Sequence, residues 1–308
     1  MSLLLISKGR DMNPWKEALL EVDSNLDIDV WPRVENKQRV TFALSWRHPE
    51  KVLDGYPNLT VVSSLGAGVD HILKDESIPK AVKIARVVIP SLKEQMAEYV
   101  LNAVQNYRLH TSRYVDQKRE GFWSTHEPVP KDQCTVGILG LGEMGIEVAK
   151  SLMANGFSVN GWSSTKKEVD GVHCFSGDEL NEFLAATNVL VCLLPLTEQT
   201  KGILDLDVFK KLKSPSFIIN VARGAHLIEE DLIYALDIGV LEAACLDVFE
   251  EEPLPENHIF WNRPKIMITP HVASLTNPKE AAELIVENYK RSLSGMPLLY
   301  EVDRTKGY

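Results

Sequence analysis

The feature that most constrains this chain is Gly140-Leu141-Gly142-Glu143-Met144-Gly145. It sits between an apolar run at residues 135–139 and a stretch whose Val148, Ala149, Leu152 and Met153 share one helical face before Gly156. A strand, a glycine turn and a helix in that order form the opening of a dinucleotide-binding unit. The first glycine makes the tight turn, the second lets backbone approach a pyrophosphate, and the third lets helix and strand pack closely. The N–H groups that open the helix complement negative charge. Gly140, Leu141, Gly142, Glu143, Met144 and Gly145 are therefore expected to bind a dinucleotide cofactor, within a doubly wound parallel sheet.

The rest of the chain is patterned to match. Short Val/Ile/Leu-rich runs at 3–7, 27–31, 40–46, 60–63 and 82–88 alternate with amphipathic stretches. A second series at 136–139, 157–162, 189–194, 217–220, 243–246 and 266–269 comes after them. Runs of that length without polar alternation are strands buried on both faces, which implies parallel sheets with crossover helices. Residues 94–119 lack Pro, Gly and any strand-like run while Met96, Val100, Leu101 and Val104 recur at helical spacing, so one long helix is expected there. Asn277-Pro278-Lys279-Glu280 reads as a capped helix start and Gly295 as its stop. The expected fold is α/β with two doubly wound parallel-sheet domains, a Rossmann cofactor domain and a flavodoxin-like substrate domain. A last helix returning to the first domain gives residues 1–99 plus 286–308 as the substrate-binding domain and 100–285 as the dinucleotide-binding domain.

Composition narrows the partners. A length of 308 residues suits two domains, and 33 basic against 43 acidic residues give a net charge of -10, which disfavours nucleic acid. The most apolar stretch, residues 189–196, is far short of the ~20 residues of a membrane helix, and no secretory leader is read at the N-terminus. Cys134, Cys174, Cys192 and Cys245 are widely spaced without a C-x-x-C pair, so free thiols in a reducing cytoplasm are expected and no metal site is.

Cofactor choice is read at the end of the second strand of this sheet. An acid there would accept hydrogen bonds from the adenosine ribose hydroxyls, but position 163 is serine, followed by Ser164-Thr165-Lys166-Lys167. Hydroxyls and ammonium groups suit a 2′-phosphate, so NADP(H) is preferred and NAD(H) remains possible, with Ser163, Ser164 and Lys166 as contacts.

Ligands of open parallel sheets bind beyond the carboxyl ends of strands. Arg223 follows 217–220, Asp247 follows 243–246, Glu252 lies five residues farther, and His271 follows 266–269. Reduction of a 2-oxo acid needs such a set. Arg223 would hold the carboxylate and polarise the carbonyl, His271 would protonate the developing alkoxide, and Glu252 would orient the imidazolium.

Four ordered strings, Gly140 to Gly145, Asn220-Val221-Ala222-Arg223-Gly224, Asp247-Val248-Phe249-Glu250-Glu251-Glu252-Pro253-Leu254-Pro255 and Thr269-Pro270-His271, resemble the D-isomer-specific 2-hydroxyacid dehydrogenases. Leu65-Gly66-Ala67-Gly68-Val69-Asp70, Glu94-Gln95-Met96 and the terminal Val302-Asp303-Arg304 with Gly307-Tyr308 resemble the glyoxylate/hydroxypyruvate reductase A branch. The resemblance implies Arg223, Glu252 and His271 as catalytic residues. It implies Asp247 at the nicotinamide amide, Pro195 along the dinucleotide groove, and the N–H groups of Ala67 and Gly68 on the substrate carboxylate. Trp46 matches a tryptophan that caps a small-substrate pocket. The branch usually carries Arg where this chain has Ser164, so phosphate recognition would rest on hydroxyls plus Lys166 or Lys167. The loop Pro90-Ser91-Leu92-Lys93 also lacks a glycine expected near the nicotinamide. The resemblance thus implies a homodimer that reduces glyoxylate and hydroxypyruvate with NADPH. The alternatives are a dehydrogenase of pyruvate or branched 2-oxo acids and a nucleotide-sensing corepressor-like binding protein.

Overall fold

The computed structural model describes residues 1–308. The chain divides into two compact units, residues 1–91 with 275–308, and residues 92–274.

The first unit contains β1 (Ser2–Ser7), α1 (Asn13–Val22), β2 (Ile28–Val30), β3 (Val40–Trp46), β4 (Val61–Ser64), the short α2 (Asp70–Leu73) and β5 (Lys83–Ala85). The sheet is wholly parallel in the order β2-β1-β3-β4-β5, the flavodoxin-like arrangement. All six residues of β1 are buried, as a central strand covered on both faces demands. Leu4, Ile6, Ala43, Val62 and Ile84 point to one face, packed against Ile72 and Ile78.

The second unit begins almost at once in α3 (Pro90–Arg108), followed by α4 (Thr111–Glu120). Then come β6 (Val136–Leu139), α5 (Glu143–Ala154), β7 (Val159–Ser163), β8 (His173–Ser176), α6 (Leu180–Ala185) and β9 (Val189–Cys192). α7 (Leu206–Lys211), β10 (Phe217–Asn220), α8 (Glu229–Asp237), β11 (Ala243–Leu246) and β12 (Ile266–Ile268) complete it. The seven parallel strands run in the order β12-β11-β10-β9-β6-β7-β8. Side chains alternate between two cores. Val189 and Val191 join the face covered by α3 and α5, while Leu190 and Cys192 join the face covered by α6, α7 and α8.

The register of this sheet places its chemistry. Leu139 pairs with Cys192, Cys192 with Asn220, Asn220 with Leu246, and Leu246 with Ile268. Five strands thus end in one row, and the residues just past them emerge side by side.

Three expectations are corrected. The long helix of residues 94–119 is two helices: Pro90 starts the first, and His110, in the left-handed region at φ 56, separates it from the second. A strand at His173–Ser176 is additional; its half-buried edge position leaves little apolar signal. The units part at 91/92 and 274/275, not at 99/100 and 285/286. Met96, Ala97, Val100, Ala103 and Val104 of α3 pack into the second unit's core. The last helix, α9 (Pro278–Leu293), packs along α1 in the first unit, with Ala281, Ala282 and Ile285 buried and the Tyr289 ring edge-on to Phe42.

Candidate active site

The glycine turn behaves as its spacing demands. Gly140 sits at φ +105, where a Cβ would also strike the Leu193 backbone, and a Cβ on Gly145 would collide with the Gly140 carbonyl. Gly142 caps α5 with no side-chain hydrogen bond, and a Cβ there would meet nothing within 4 Å. The space beside Gly142 at the start of α5 is thus open, and a helix N-terminus there fits the pyrophosphate of a dinucleotide. The Glu143 side chain turns aside to Lys93 Nζ at 3.5 Å. Met144 is half-buried against the core and Leu141 is 1% exposed.

At the end of β7, Ser163 is 8% exposed and its hydroxyl donates to the Thr165 carbonyl at 2.8 Å, so it shapes the turn. Ser164 and Lys166 are exposed. Lys167 folds back and donates from Nζ to the Leu141 carbonyl at 2.6 Å, which sets a positive charge against the glycine turn. Beyond β9, the Pro195 carbonyl receives Thr200 Oγ1 at 2.7 Å and lies 3.3 Å from His226 Nε2, while His226 Nδ1 lies 3.1 Å from the Arg223 carbonyl. The fully buried His226 ring thereby ties the loops after β9 and β10 together.

The second row of residues is equally ordered. Asn220, fully buried at the end of β10, donates through Nδ2 to the Arg223 carbonyl at 2.9 Å and receives Ala222 N–H at 3.2 Å, closing the turn that presents Arg223. Arg223 is partly exposed, and its Nη1 donates to the Ala222 carbonyl at 2.6 Å. Gly224 lets this turn approach the segment after β11, since a Cβ would overlap the backbone of Phe249 and Glu250. Glu252 receives the Phe249 N–H on Oε1 at 3.1 Å and faces His271 Nδ1 from Oε2 at 2.9 Å. The His271 and Glu252 side chains keep 28% and 15% exposure, which leaves the imidazole edge accessible. With Nδ1 committed to the carboxylate, Nε2 is the nitrogen that can serve a substrate.

Asp247 is held firmly by its own neighbourhood. It is 1% exposed, and its carboxylate receives Thr269 Oγ1 at 2.6 Å, Val272 N–H at 2.8 Å and Ala273 N–H at 2.9 Å. Its own carbonyl receives His271 N–H at 2.8 Å. These bonds bracket His271, which occupies the left-handed region at φ 57. Asp247 thus anchors the histidine turn. Tyr99 of α3 extends the anchor, its hydroxyl 2.6 Å from Thr269 Oγ1 and 3.4 Å from Cys245 Sγ. Burial first, then the Cys245 neighbour, pushes the Tyr99 pKa up, so the phenol stays protonated. Burial likewise pushes the Cys245 and Cys192 thiols up to about 12, consistent with inert free thiols.

Sequence reasoning missed four contributors: Asn220, Gly224, Thr269 and Tyr99. The first three lie inside the quoted strings and were legible as companions of Arg223 and His271. Tyr99 lies 170 residues from its partner and leaves no local signal.

In the first unit, Trp46 ends β3, and its ring lies 4.9 Å from the His71 ring. Ala67 and Gly68 are half-exposed in the turn after β4, where Ser64 Oγ donates to the Gly68 carbonyl at 2.7 Å and receives Gly66 N–H at 3.2 Å.

A glycine turn, an adjacent hydroxyl-rich loop and an Arg/Glu/His set on one row of strand ends define a nucleotide-linked 2-hydroxyacid dehydrogenase. The profile of the family described as D-isomer specific 2-hydroxyacid dehydrogenase, NAD binding domain, matches residues 99–273, and the chain belongs to that family. It is similar over its full length, and over all of theirs, to the glyoxylate/hydroxypyruvate reductases A of Serratia proteamaculans at 41% identity and Photorhabdus laumondii at 40%. A crystal structure of a D-isomer specific 2-hydroxyacid dehydrogenase from Xanthobacter autotrophicus, in complex with NADPH and MES, superposes with TM-score 0.94 at 37% identity. It covers 100% of this chain and 99% of its own. The NADPH-dependent glyoxylate/hydroxypyruvate reductase of Sinorhizobium meliloti, with NADP and sulfate, gives TM-score 0.93 at 32% identity over all of both chains.

Proposed function

We propose that this protein is an NADPH-dependent reductase of small 2-oxo acids, converting glyoxylate to glycolate and hydroxypyruvate to D-glycerate. The observation that carries this reading is the 2.9 Å contact between His271 and Glu252, on the row of strand ends that also presents Arg223 and holds the glycine turn. The bound cofactor supplies a hydride to the carbonyl carbon. Arg223 pairs with the substrate carboxylate and draws electron density toward the carbonyl oxygen. His271 gives its proton to the oxygen as it becomes an alkoxide, and Glu252 holds the ring in place and stabilises its cationic form before transfer. Hydride plus proton balance the conversion of ketone to alcohol.

The glycine turn and the start of α5 hold the pyrophosphate, and Pro195 borders the cofactor groove. Ser164 and Lys166 reach the 2′-phosphate, with Ser163 and Lys167 shaping the surface they stand on. Asp247 is a positioning residue for His271. The unit of residues 92–274 serves the cofactor. The other unit serves the substrate through Trp46, Ala67 and Gly68. A homodimer formed through the cofactor unit is supported by Phe122 and Trp123, which are 60% and 94% exposed. Cytoplasmic residence is supported by the free thiols. No helix is long and apolar enough to cross a membrane.

The test is loss of NADPH absorbance with glyoxylate, hydroxypyruvate, pyruvate and a branched 2-oxo acid, repeated with NADH. Turnover of the first two with NADPH in preference to NADH is expected. Failure of every acid to oxidise either cofactor would overturn the reading.

A further inference from the structure

Leu141, the second residue of the glycine turn, is held from two directions. Its buried side chain packs so closely on β7 that a Cβ on Gly161 would come within 2.6 Å of Leu141 Cδ1. Its carbonyl receives Lys167 Nζ at 2.6 Å. The lysine lies four residues past the end of β7, on a loop that Ser163 closes by donating from Oγ to the Thr165 carbonyl at 2.8 Å. That loop carries two adjacent lysines in different settings. Lys166 is exposed, whereas Lys167 is half-buried and bonded to the turn.

The bond from Lys167 acts on a whole peptide group. In a planar trans peptide the carbonyl of one residue and the N–H of the next point in opposite directions. Pinning the Leu141 carbonyl therefore fixes the direction of the Gly142 N–H. A charged donor on the carbonyl also draws electron density from the peptide nitrogen and strengthens that N–H as a donor. Gly142 caps α5, and the place a Cβ would take there is open. Glu143, the first residue of α5, is half-exposed and keeps Lys93 Nζ 3.5 Å from Oε2. Like charges repel, so Glu143 opposes a phosphate at this helix start except as far as Lys93 offsets it. The Lys167 ammonium adds a positive charge to the same turn.

We infer that Lys167 is a positioning residue for the pyrophosphate of the dinucleotide. By holding the Leu141 carbonyl it sets the direction and donor strength of the Gly142 N–H, and so governs affinity for the part that NADPH and NADH share. The choice between the two cofactors is left to the exposed Ser164 and Lys166. Adjacent lysines thereby do separate work, Lys167 on affinity and Lys166 on discrimination. This deepens the reductase reading and rests on its cofactor, whichever 2-oxo acid is reduced.

The experiment reads binding without turnover. Fluorescence titration gives Kd for NADPH and for NADH in wild type, Lys166→Met and Lys167→Met. Calorimetry adds two fragments: ADP-ribose, which has the pyrophosphate without a 2′-phosphate, and adenosine 2′-monophosphate, which has the reverse. Lys167→Met should raise Kd for NADPH, NADH and ADP-ribose by a common factor of roughly tenfold, the scale of one charge-assisted hydrogen bond, and change adenosine 2′-monophosphate less than about twofold. Lys166→Met should do the opposite, weakening NADPH and adenosine 2′-monophosphate while sparing NADH and ADP-ribose. If Lys167→Met weakens NADPH more than NADH, Lys167 is a 2′-phosphate contact; if it weakens both fragments alike, Lys167 merely props the loop. Either result overturns the inference and leaves the cofactor reading standing, as does indifference of all four ligands to the substitution. If wild type binds neither NADPH nor NADH, the cofactor reading itself fails and the inference with it. Should Lys167→Met not fold, Lys167→Gln, a neutral donor of shorter reach, reads the same ratios.

Discussion

Replacing Asp247 with Asn separates an anchor from a cofactor contact. The wild-type carboxylate accepts three hydrogen bonds, from Thr269 Oγ1, Val272 N–H and Ala273 N–H. An amide offers one acceptor oxygen, and its NH2 must then face a group that also donates. Ala273 is 2% exposed, so an N–H left without its acceptor there has no access to solvent. Hydrogen bonds to a charged group are worth about 1.5–3 kcal/mol each, and losing one while crowding another costs about 3 kcal/mol. The turn that holds His271 at φ 57 then relaxes toward ordinary backbone. Displacing a catalytic group by roughly 1 Å costs on the order of a hundredfold in rate. Urea unfolding of Asp247→Asn should therefore show the ~3 kcal/mol loss. Its kcat/KM for glyoxylate should fall by about two orders of magnitude, while the dissociation constant for NADPH, measured by fluorescence, should change little. A contact to the nicotinamide amide predicts the reverse, with unchanged stability and weakened cofactor binding. That second pattern would refute the anchor.

His271→Ala should lose nearly all reductive turnover while NADPH still binds, and Arg223→Lys should lose much of the rate because a point charge cannot reproduce a two-bond guanidinium grip; steady-state kinetics with glyoxylate check both. Ser163→Asp should move preference toward NADH, since a carboxylate accepts from ribose hydroxyls and repels a 2′-phosphate, and the ratio of kcat/KM for the two cofactors measures it. Gly224→Ala should lower the melting temperature and turnover together, because its Cβ must displace the Phe249–Glu250 backbone that carries Glu252; unaltered thermal melting and rate would contradict that close approach. Stability should also rise with pH. Burial outweighs the Asp75 hydrogen bond and holds the His48 pKa low, so on acidification below the ordinary histidine value of ~6.5 the unfolded chain takes up a proton that the fold resists. Burial raises the Asp75 pKa, but hydrogen bonds from Ser77, His48 and Lys51 outweigh it and hold the group low, so further stability is lost below ~3.9. Urea midpoints between acid and neutral pH should fall less on acidification in His48→Gln than in wild type.

Much of the molecule was legible in the residues themselves because the signals are local. A glycine turn carries its meaning within six positions: Gly145 must lack a Cβ where the Gly140 carbonyl stands, whatever the rest of the chain does. Uninterrupted apolar runs such as residues 3–6 report burial on both faces, hence parallel sheets, hence a rim of strand ends where Arg223, Glu252 and His271 had to be sought. The tertiary structure decided what depends on groups far apart in the chain. The Asp247 carboxylate turns inward because two N–H groups and a hydroxyl from residues 269–273 converge on it, and Tyr99 reaches the same anchor from α3. The expected long helix breaks at His110, whose ring instead meets the Glu127 carbonyl at 2.9 Å. Lys167, the alternative to Lys166 for the phosphate, directs its ammonium to the Leu141 carbonyl. Backbone conformation and burial are dictated by near neighbours, whereas the hydrogen-bond partner of a polar side chain is settled by the strand order that brings distant residues together.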